Sequence, residues 1–173
     1  MTRPRRAVAL VATMLAVVAI VVVVARAGRA RARIAANEAA AMTTLARVIA
    51  AQAAYAAECG RGNYATSMMD LTTPPPGRRE GYLPFRRGEL GWTITSEVQG
   101  YLFTLRTGHE ATLGAADCNE FPTQTRYYAV AVPFRQGEDG QRTFATNQEG
   151  VIWEADGLPP PPEPFGPPSR RVP

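Results

Sequence analysis

Cys59 and Cys118 are the only two cysteines in the sequence, so they are the residues that could form a disulfide bond within the chain. They lie far apart and form no CxxC motif with a histidine partner, which argues against a metal site. In an oxidising compartment such a pair can form one structural disulfide. The sequence therefore predicts a disulfide and a domain outside the cytoplasm, with two unrelated buried thiols as the alternative.

Catalytic chemistry finds little support in this sequence. His109 is the only histidine, no lysine is present, and HExxH, GxSxG and P-loop motifs are absent. A lone histidine between Gly108 and Glu110 is typical of an exposed loop. The sequence therefore predicts that the chain is not an enzyme and carries no cofactor.

Three carboxylates, Glu138, Asp139 and Asp156, are candidates for a calcium site. Their spacing has none of the regularity of an EF-hand loop. Solvated turn carboxylates are the favoured interpretation, and no metal site is predicted.

Glu38 is a separate case because it lies near the apolar arc of a predicted helix. One interpretation is a salt bridge to Arg31 or Arg33 of a neighbouring subunit, which would set the register between helices. The other, which we favour, is a solvated carboxylate just above a membrane. Glu38, Arg31 and Arg33 are thus candidates for an inter-subunit contact.

Eight aromatic residues are predicted to lie mostly in the core or on the faces of a sheet. A sugar- or peptide-binding platform among them is the alternative. They are Tyr82, Phe85, Trp92, Tyr101, Phe103, Tyr127, Tyr128 and Trp153.

The element that must carry the outer domain is a helix that begins with an apolar run at residues 7–25. This run of 19 residues would be roughly 28 Å long as a helix, which is close to the thickness of a bilayer core. A cleaved signal peptide is the alternative, but its usual apolar core is shorter. Residues 1–33 are therefore predicted to be a retained membrane anchor with arginine flanks.

The charge distribution excludes nucleic acid as an expected partner. Seven of the 19 basic residues flank the apolar run, and residues 34–173 hold 12 arginines against 15 carboxylates, a net charge of −3. The basic residues are thus placed to meet the phosphates of a lipid bilayer.

Residues 34–58 are predicted to continue the same helix as a spine. Its apolar arc includes Leu45, Val48 and Tyr55, whereas Thr43, Thr44, Arg47 and Glu58 fall on the other side. Cys59 and Gly60 are predicted to end it, with Gly60 in a left-handed turn.

The remaining chain is predicted to form a connector at 59–100, with a short strand at 92–95, and an antiparallel sheet at 101–157. Residues 158–173 contain eight prolines after residue 158 and are predicted to be a disordered or polyproline tail. The expected fold class is α+β, in which a long amino-terminal helix packs on a small sheet. The predicted strands are 101–106, 126–134, 142–146 and 151–154.

This order of elements, and several short motifs at about residues 30–157, resemble type IV pilins and the pseudopilins of type II secretion. In the helix and the loop after it, the similar pieces are 37–41 (NEAAA), Leu45, 50–55 (AAQAAY), 59–60 (CG), 63–65 (NYA) and Leu71. In the strands they are 100–105 (GYLFTL), 127–129 (YYA), Pro133, 142–146 (RTFAT) and 150–152 (GVI). The resemblance implies a pilin-like fold.

The amino terminus departs from the family pattern. Pilin precursors carry a glycine before a phenylalanine-initiated apolar segment and a glutamate within it, whereas here the first glycine is Gly28 and the first carboxylate is Glu38. A carboxylate in hydrocarbon is costly unless it is paired. Because this chain has no glutamate within the apolar run, it avoids that cost but also lacks the ion pair that would set the register between subunits.

The resemblance implies a structural or accessory, minor subunit of a type IV pilus or a type II secretion pseudopilus, which acts by helix-mediated assembly. Its expected partners are the lipid bilayer and other pilin or pseudopilin subunits. The expected location is the inner membrane, crossed once, with the carboxy-terminal domain outside the cytoplasm or in a cell-surface filament. The alternative is a non-polymerising, membrane-tethered periplasmic binding module with a pilin-like fold.

Overall fold

A computed structural model of the protein describes residues 3–83 and 95–172, with side chains described over 14–83 and 99–172. Its first element is a 56-residue helix, α1 (Arg3–Glu58), and antiparallel strands follow, so the predicted α+β class is confirmed. The later elements are β1 (Tyr64–Ala65), α2 (Met68–Thr72), β2 (Thr95–Val98), β3 (Tyr101–Thr107), β4 (Leu113–Gly114), β5 (Thr123–Gln124), β6 (Tyr127–Pro133), β7 (Arg142–Asn147), β8 (Trp153–Asp156) and β9 (Arg170–Arg171).

Helix α1 ends at Glu58, as predicted, but for a different reason. The left-handed residues are Arg61 and Gly62, with φ of 53° and 86°, and Gly60 is not among them. A side chain at Gly60 would instead collide with the carbonyl oxygen of Asn63 and with the ring of Tyr55. Gly60 is therefore required for close backbone approach, and the predicted left-handed turn at this position is wrong.

The second half of α1 buries a regular stripe of side chains, which we call the seam. Its members recur at alternating spacings of three and four residues, the pattern of a helix that packs along one face. They are Glu38, Ala41, Leu45, Val48, Gln52, Tyr55 and Cys59, the last directly after the helix. Thr44, predicted to lie on the outer face, is also buried, and its hydroxyl donates to the carbonyl of Ala40 at 2.9 Å.

The seam packs on a six-stranded sheet with the order β2-β3-β6-β7-β8-β9. All neighbouring strands are antiparallel, and β6, β7 and β8 form the predicted meander. The strands predicted at 101–106, 126–134, 142–146 and 151–154 correspond to β3, β6, β7 and β8, the last shifted by two residues. In the strand predicted at 92–95, only Thr95 is described; residues 92–94 lie outside the described ranges.

Small residues on the central strand leave room for the helix. In one row across the sheet, Ala131 of β6 lies between Phe103 of β3 and Phe144 of β7. All three side chains are fully buried. An alanine between two large rings lets the helix approach the sheet at that row, since large and small side chains must interdigitate in a dense core.

A second, three-stranded sheet with the order β1-β5-β4 joins the end of the helix to the connector. The seam residue Gln52 holds it, because its amide both donates to the carbonyl of Ala65, at 3.1 Å, and accepts from the N–H of the same residue, at 2.9 Å. Helix α2 begins with a capping box between Ser67 and Asp70. None of these elements was predicted from the sequence.

The carboxy-terminal segment also differs from its prediction. Residues 158–172 return to the main sheet, where β9 pairs with β8 as an antiparallel edge strand. Pro161 and Ser169 are buried in this segment. The prediction of a disordered or polyproline tail is therefore wrong.

The predicted membrane-spanning run, residues 7–25, lies on α1, and its first seven residues precede the part of the helix whose side chains are described. Within the described residues, no helix is long and apolar enough to cross a membrane. The membrane span is not confirmed and stays a prediction.

Candidate functional site

The first half of α1 exposes an apolar surface that nothing in the described part of the chain covers. Every residue from 14 to 33 is exposed, and we call this stretch the exposed helix segment. Nine large apolar side chains in it have exposed fractions of 40% to 70%: Met14, Leu15, Val17, Val18, Ile20, Val21, Val22, Val23 and Val24. A contiguous apolar surface of this kind marks an interaction site, since burying each such side chain contributes about 1.5–3 kcal/mol.

A charge cluster fixes the helix to the sheet where the exposed helix segment ends. Oε1 of Glu38 accepts the backbone N–H groups of Gln141 and Arg142, at 2.9 and 3.1 Å. Oε2 accepts from Nε and Nη2 of Arg142, at 2.9 and 2.7 Å. Four charge-assisted bonds therefore satisfy a carboxylate that is only 5% exposed.

The cluster continues across three strands. Nη1 of Arg142 donates to Glu154 at 2.6 Å, and the other carboxylate oxygen of Glu154 lies 3.3 Å from Nη2 of Arg170. The same nitrogen of Arg170 also pairs with Asp156 at 3.2 Å. We call Glu38, Arg142, Glu154, Arg170 and Asp156 the charge cluster; it connects α1, β7, β8 and β9.

The electrostatics keep the central pair ionised. Burial alone would raise the pKa of the Glu38 carboxyl, but the hydrogen bonds from the Gln141 backbone and from Arg142 outweigh it, so the pKa is lowered. Burial would likewise lower the pKa of Arg142, and its hydrogen bonds to Glu38 reverse the sign.

The position of Glu38 corrects our sequence interpretation. A solvated carboxylate was favoured, yet this side chain is buried in the seam and paired with Arg142 of the same chain. Arg33 donates to the carbonyl of Glu138 at 3.1 Å, and Arg31 is exposed. A pairing of Glu38 with Arg31 or Arg33 of a second subunit would have to displace Arg142, and it stays a prediction that this geometry disfavours.

At the other end of the seam, Cys59 and Cys118 form the predicted disulfide. The interpretation as two unrelated thiols is wrong. Beside it, the hydroxyl of Tyr55 donates to Oδ2 of Asp117 at 2.7 Å. Oδ1 of Asp117 accepts the backbone N–H groups of Asn119 and Phe121, at 2.7 and 2.8 Å, so both oxygens of this buried carboxylate are satisfied.

Burial raises the pKa of Tyr55, and its hydrogen bond to the Asp117 carboxylate adds to the effect. The phenol therefore stays protonated and remains a donor. Loop 115–121 is thus attached to the end of the helix by the disulfide, by this bond and by the N–H of Cys118, which donates to the carbonyl of Cys59 at 3.1 Å.

The other candidate chemical groups are dispersed. His109 lies in the loop between β3 and β4 with its side chain half exposed, 3.8 Å from the carboxylate of Glu110. Glu138 and Asp139 pair with Arg135, and Asp156 pairs with Arg170. Over residues 3–83 and 95–172, no group of three or more histidine, cysteine or acidic residues is arranged to hold a metal ion.

The predicted aromatic residues divide into two groups. Tyr101, Phe103 and Tyr127 are buried in the core, and Tyr82 is partly buried and packs against it. Tyr128 and Trp153 lie on the opposite side, where they contact Phe165. Phe85 and Trp92 are outside the described residues.

Comparison with models of protein families, with curated proteins and with solved structures finds no match to this chain. The resemblance to pilins therefore stays a prediction.

Sequence reasoning missed the partner of Glu38 although one signal was present. A carboxylate at a seam position must find a donor, because a buried unpaired charge is very costly. The partner, Arg142, lies 104 residues away at the start of β7, and nothing in the sequence joins the two. Asp117 was missed for the same reason.

Proposed function

We propose that this chain is a structural or accessory subunit of a filament of the type IV pilus or type II secretion pseudopilus kind, and that it acts by helix-mediated assembly. The observation that carries the proposal is the exposed helix segment. The chain holds the second half of α1 firmly on a sheet and leaves the first half with its apolar side chains exposed.

Helix packing against neighbours would cover these side chains. The segment mixes valines with alanines and Gly28, and small residues let helices approach one another closely. The arginines Arg26, Arg29, Arg31 and Arg33 follow the apolar part, where lipid phosphates would meet them. We therefore propose an inner-membrane location with the sheet domain outside the cytoplasm.

The disulfide supports this orientation, since such bonds persist in oxidising compartments. The apolar run has no glycine before it and no glutamate within it. Both absences support a minor or tip-located subunit over the bulk subunit of a long fibre. Without a registering ion pair in hydrocarbon, helix packing alone must set the position of each subunit.

One observation favours the alternative, a membrane-tethered binding module that does not polymerise. Tyr128 and Trp153 hold an extended peptide segment, residues 158–172 of the chain itself. A surface that holds one peptide segment can serve a binding function.

A photo-crosslinking experiment tests the proposal. A benzophenone amino acid is placed at Val21, in the exposed helix segment, or at Arg47, which is also exposed on α1 but lies in the part of the helix that packs on the sheet. In cells, the Val21 probe should form adducts with this chain or with pilin-sized proteins in the membrane fraction, and the Arg47 probe should form few.

Adducts with lipid alone at Val21 would favour the tethered binding module. If the chain is recovered from the soluble fraction and probes at Val17, Val21 and Val24 form no adducts, both the filament subunit and the tethered binding module are contradicted. Counting this chain against other pilins in purified filaments would then separate a minor subunit from a bulk one.

A further inference from the structure

The carboxy-terminal segment, residues 158–172, is held against the sheet by side chains that contact particular residues of the segment. The ring of Phe165 stacks on Trp153, with centroids 5.4 Å apart and an interplanar angle of 18°, and lies 6.2 Å from the ring of Tyr128. The hydroxyl of Tyr128 donates to the carbonyl of Pro161. Aromatic rings with one hydrogen-bond donor are the usual lining of grooves that bind proline-rich peptides.

A pair of N–H donors selects the acidic residue of the segment. Oε1 of Glu163 accepts from Nδ2 of Asn147 at 2.7 Å, and Oε2 accepts from the backbone N–H of His109 at 2.7 Å. Asn147 is the last residue of β7, whereas His109 lies in the loop that follows β3. Together they hold one carboxylate by both oxygens, which gives geometric specificity as well as energy.

The end of the segment is recognised by strand addition. β9 pairs with β8 in the register Trp153↔Arg171 and Glu154↔Arg170, and the N–H of Val172 donates to the carbonyl of Ile152 at 2.9 Å. The guanidinium of Arg171 lies 5.2 Å from the centre of the Trp153 ring. Backbone pairing at a sheet edge with side-chain contacts on alternate residues is a common mode of peptide recognition.

The face that makes these contacts is defined by Tyr128, Asn147, Trp153, Glu154 and the backbone of His109; we call it the tail face. In the part of the chain that the structure describes, the indole N–H of Trp153 is buried and has no hydrogen-bond partner. The contacts of the tail face fit a proline-rich peptide with a glutamate, an aromatic residue two positions later and basic residues near its end.

A turn joins the segment to β8. The segment follows Gly157, whose φ of +75° marks this turn, and it begins with Leu158, which is 60% exposed. A rotation at this turn would present the same residues to another molecule. Because exchanging identical segments between copies makes no new contact and loses none, only the local concentration of copies decides between the two arrangements.

We infer that the tail face is a peptide-docking surface whose occupant in an assembly is the carboxy-terminal segment of a second copy of this chain. The contacts that carry this inference lie on the sheet, far along the chain from the exposed helix segment. It therefore does not depend on how α1 assembles.

Peptide binding to the full chain tests the surface itself. The probe is a fluorescein-labelled peptide of residues 158–173, and the protein is the full chain in detergent micelles, either wild type or with Glu163→Ala and Phe165→Ala, the weak-tail variant. The peptide should bind the weak-tail variant at least tenfold more tightly than the wild type, because the wild-type segment competes for the face. A peptide carrying the same two substitutions is the matched control and should not bind.

A third substitution, on the tail face itself, tests whether the peptide binds there. Asn147→Asp keeps the oxygen that accepts the N–H of Glu149 at 3.0 Å but replaces the amide that donates to Glu163. Added to the weak-tail variant, it should weaken peptide binding about tenfold or more. A weak-tail variant that has a native circular dichroism spectrum and an intact disulfide, yet binds no peptide, would overturn the inference.

Mixing two defective copies tests the exchange. One copy is the weak-tail variant, with an intact face, and the other carries only Asn147→Asp, with an intact segment. In an equal mixture, mixed pairs counted by native mass spectrometry should exceed the random proportion of half of all pairs, whereas association through α1 would give only that random proportion. Peptide binding without an excess of mixed pairs would show that the face takes another partner, and the proposed occupant would be wrong.

Discussion

The two ends of the seam are held in different ways. At Cys59 a covalent bond joins the end of the helix to the loop at Cys118, whereas at Glu38 a buried ion pair joins the helix to Arg142 of the sheet. The two positions are 21 residues apart, about 32 Å along the helix. The strength of the disulfide attachment at Cys59 does not depend on pH or salt, whereas the strength of the ion pair at Glu38 does.

The difference matters because the ionic end adjoins the exposed helix segment. Two further bonds lie there: Arg33 and Asn37 donate to the carbonyls of Glu138 and Asp139. The end of the helix that leads to the proposed assembly surface is therefore held by polar contacts, which can be changed one at a time. The following substitutions compare the two ends.

The largest loss of stability should come from the covalent end. Cys118→Ser opens a loop with a sequence separation of 59, and in the chain-entropy model closing such a loop contributes about 4 kcal/mol. Urea unfolding of the wild type and the variant measures this difference. Reduced wild-type protein is the control and should match the variant; two reactive thiols in denatured, non-reduced wild type would contradict the bond.

Arg142→Met should cost somewhat less, about 3 kcal/mol in the free energy of unfolding, because it leaves Glu38 buried without its partner. The matched control is Arg126→Met, which removes the exposed pair with Glu110 and should cost less than about 1 kcal/mol. Both are measured by urea unfolding. Equal losses in the two variants would show that burial does not strengthen the Glu38 pair.

Tyr55→Phe should cost about 1.5 kcal/mol, since it removes one hydrogen bond to a buried carboxylate that keeps two backbone donors. A double-mutant cycle with Asp117→Asn isolates the bond from the packing of the ring. A coupling energy near zero in this cycle would mean that the hydroxyl contributes nothing at the covalent end.

The smallest effect should be a pH dependence that only the ionic end shows. Because the folded pKa of Glu38 is below its usual value of 4.5, its contribution is fully present above pH 4.5 and is lost as the pH falls through the folded pKa. The difference in unfolding free energy between wild type and Glu38→Gln should therefore shrink below pH 4.5. The difference for Cys118→Ser should stay constant over the same range; a parallel decline would contradict the assignment to Glu38.

The sequence allowed prediction of the elements with long, regular patterns. The helix to Glu58 and strands β3, β6 and β7 follow from alanine content, periodicity and turn residues, all of which are local. Strands of two residues, such as β1 and β5, have no periodicity to detect. They form because Gln52 and the end of the helix offer partners, which is information from the fold.

The candidate site shows the same difference between features set by the local sequence and features set by the fold. The disulfide was predictable because only two cysteines exist, whereas Glu38 had many potential donors and its partner lies across the fold. The carboxy-terminal segment was predicted wrongly because its composition was judged in isolation. Proline content indicates that a segment cannot form its own core, but Glu163 and Phe165 bind the tail face of a sheet that already exists.

The charge cluster also has a mechanical consequence. Arg33, the last residue of the exposed helix segment, donates to the carbonyl of Glu138 in the sheet domain, and from there to Arg3 the helix is a lever about 45 Å long. At that length, a tilt of about 5° at the fulcrum moves the tip by about 4 Å, roughly three quarters of the rise of one helical turn. In the proposed assembly, neighbouring subunits would pack in register only if this angle is fixed, so the stiffness of the few polar bonds between Arg33 and Glu38 would set the tolerance of that assembly.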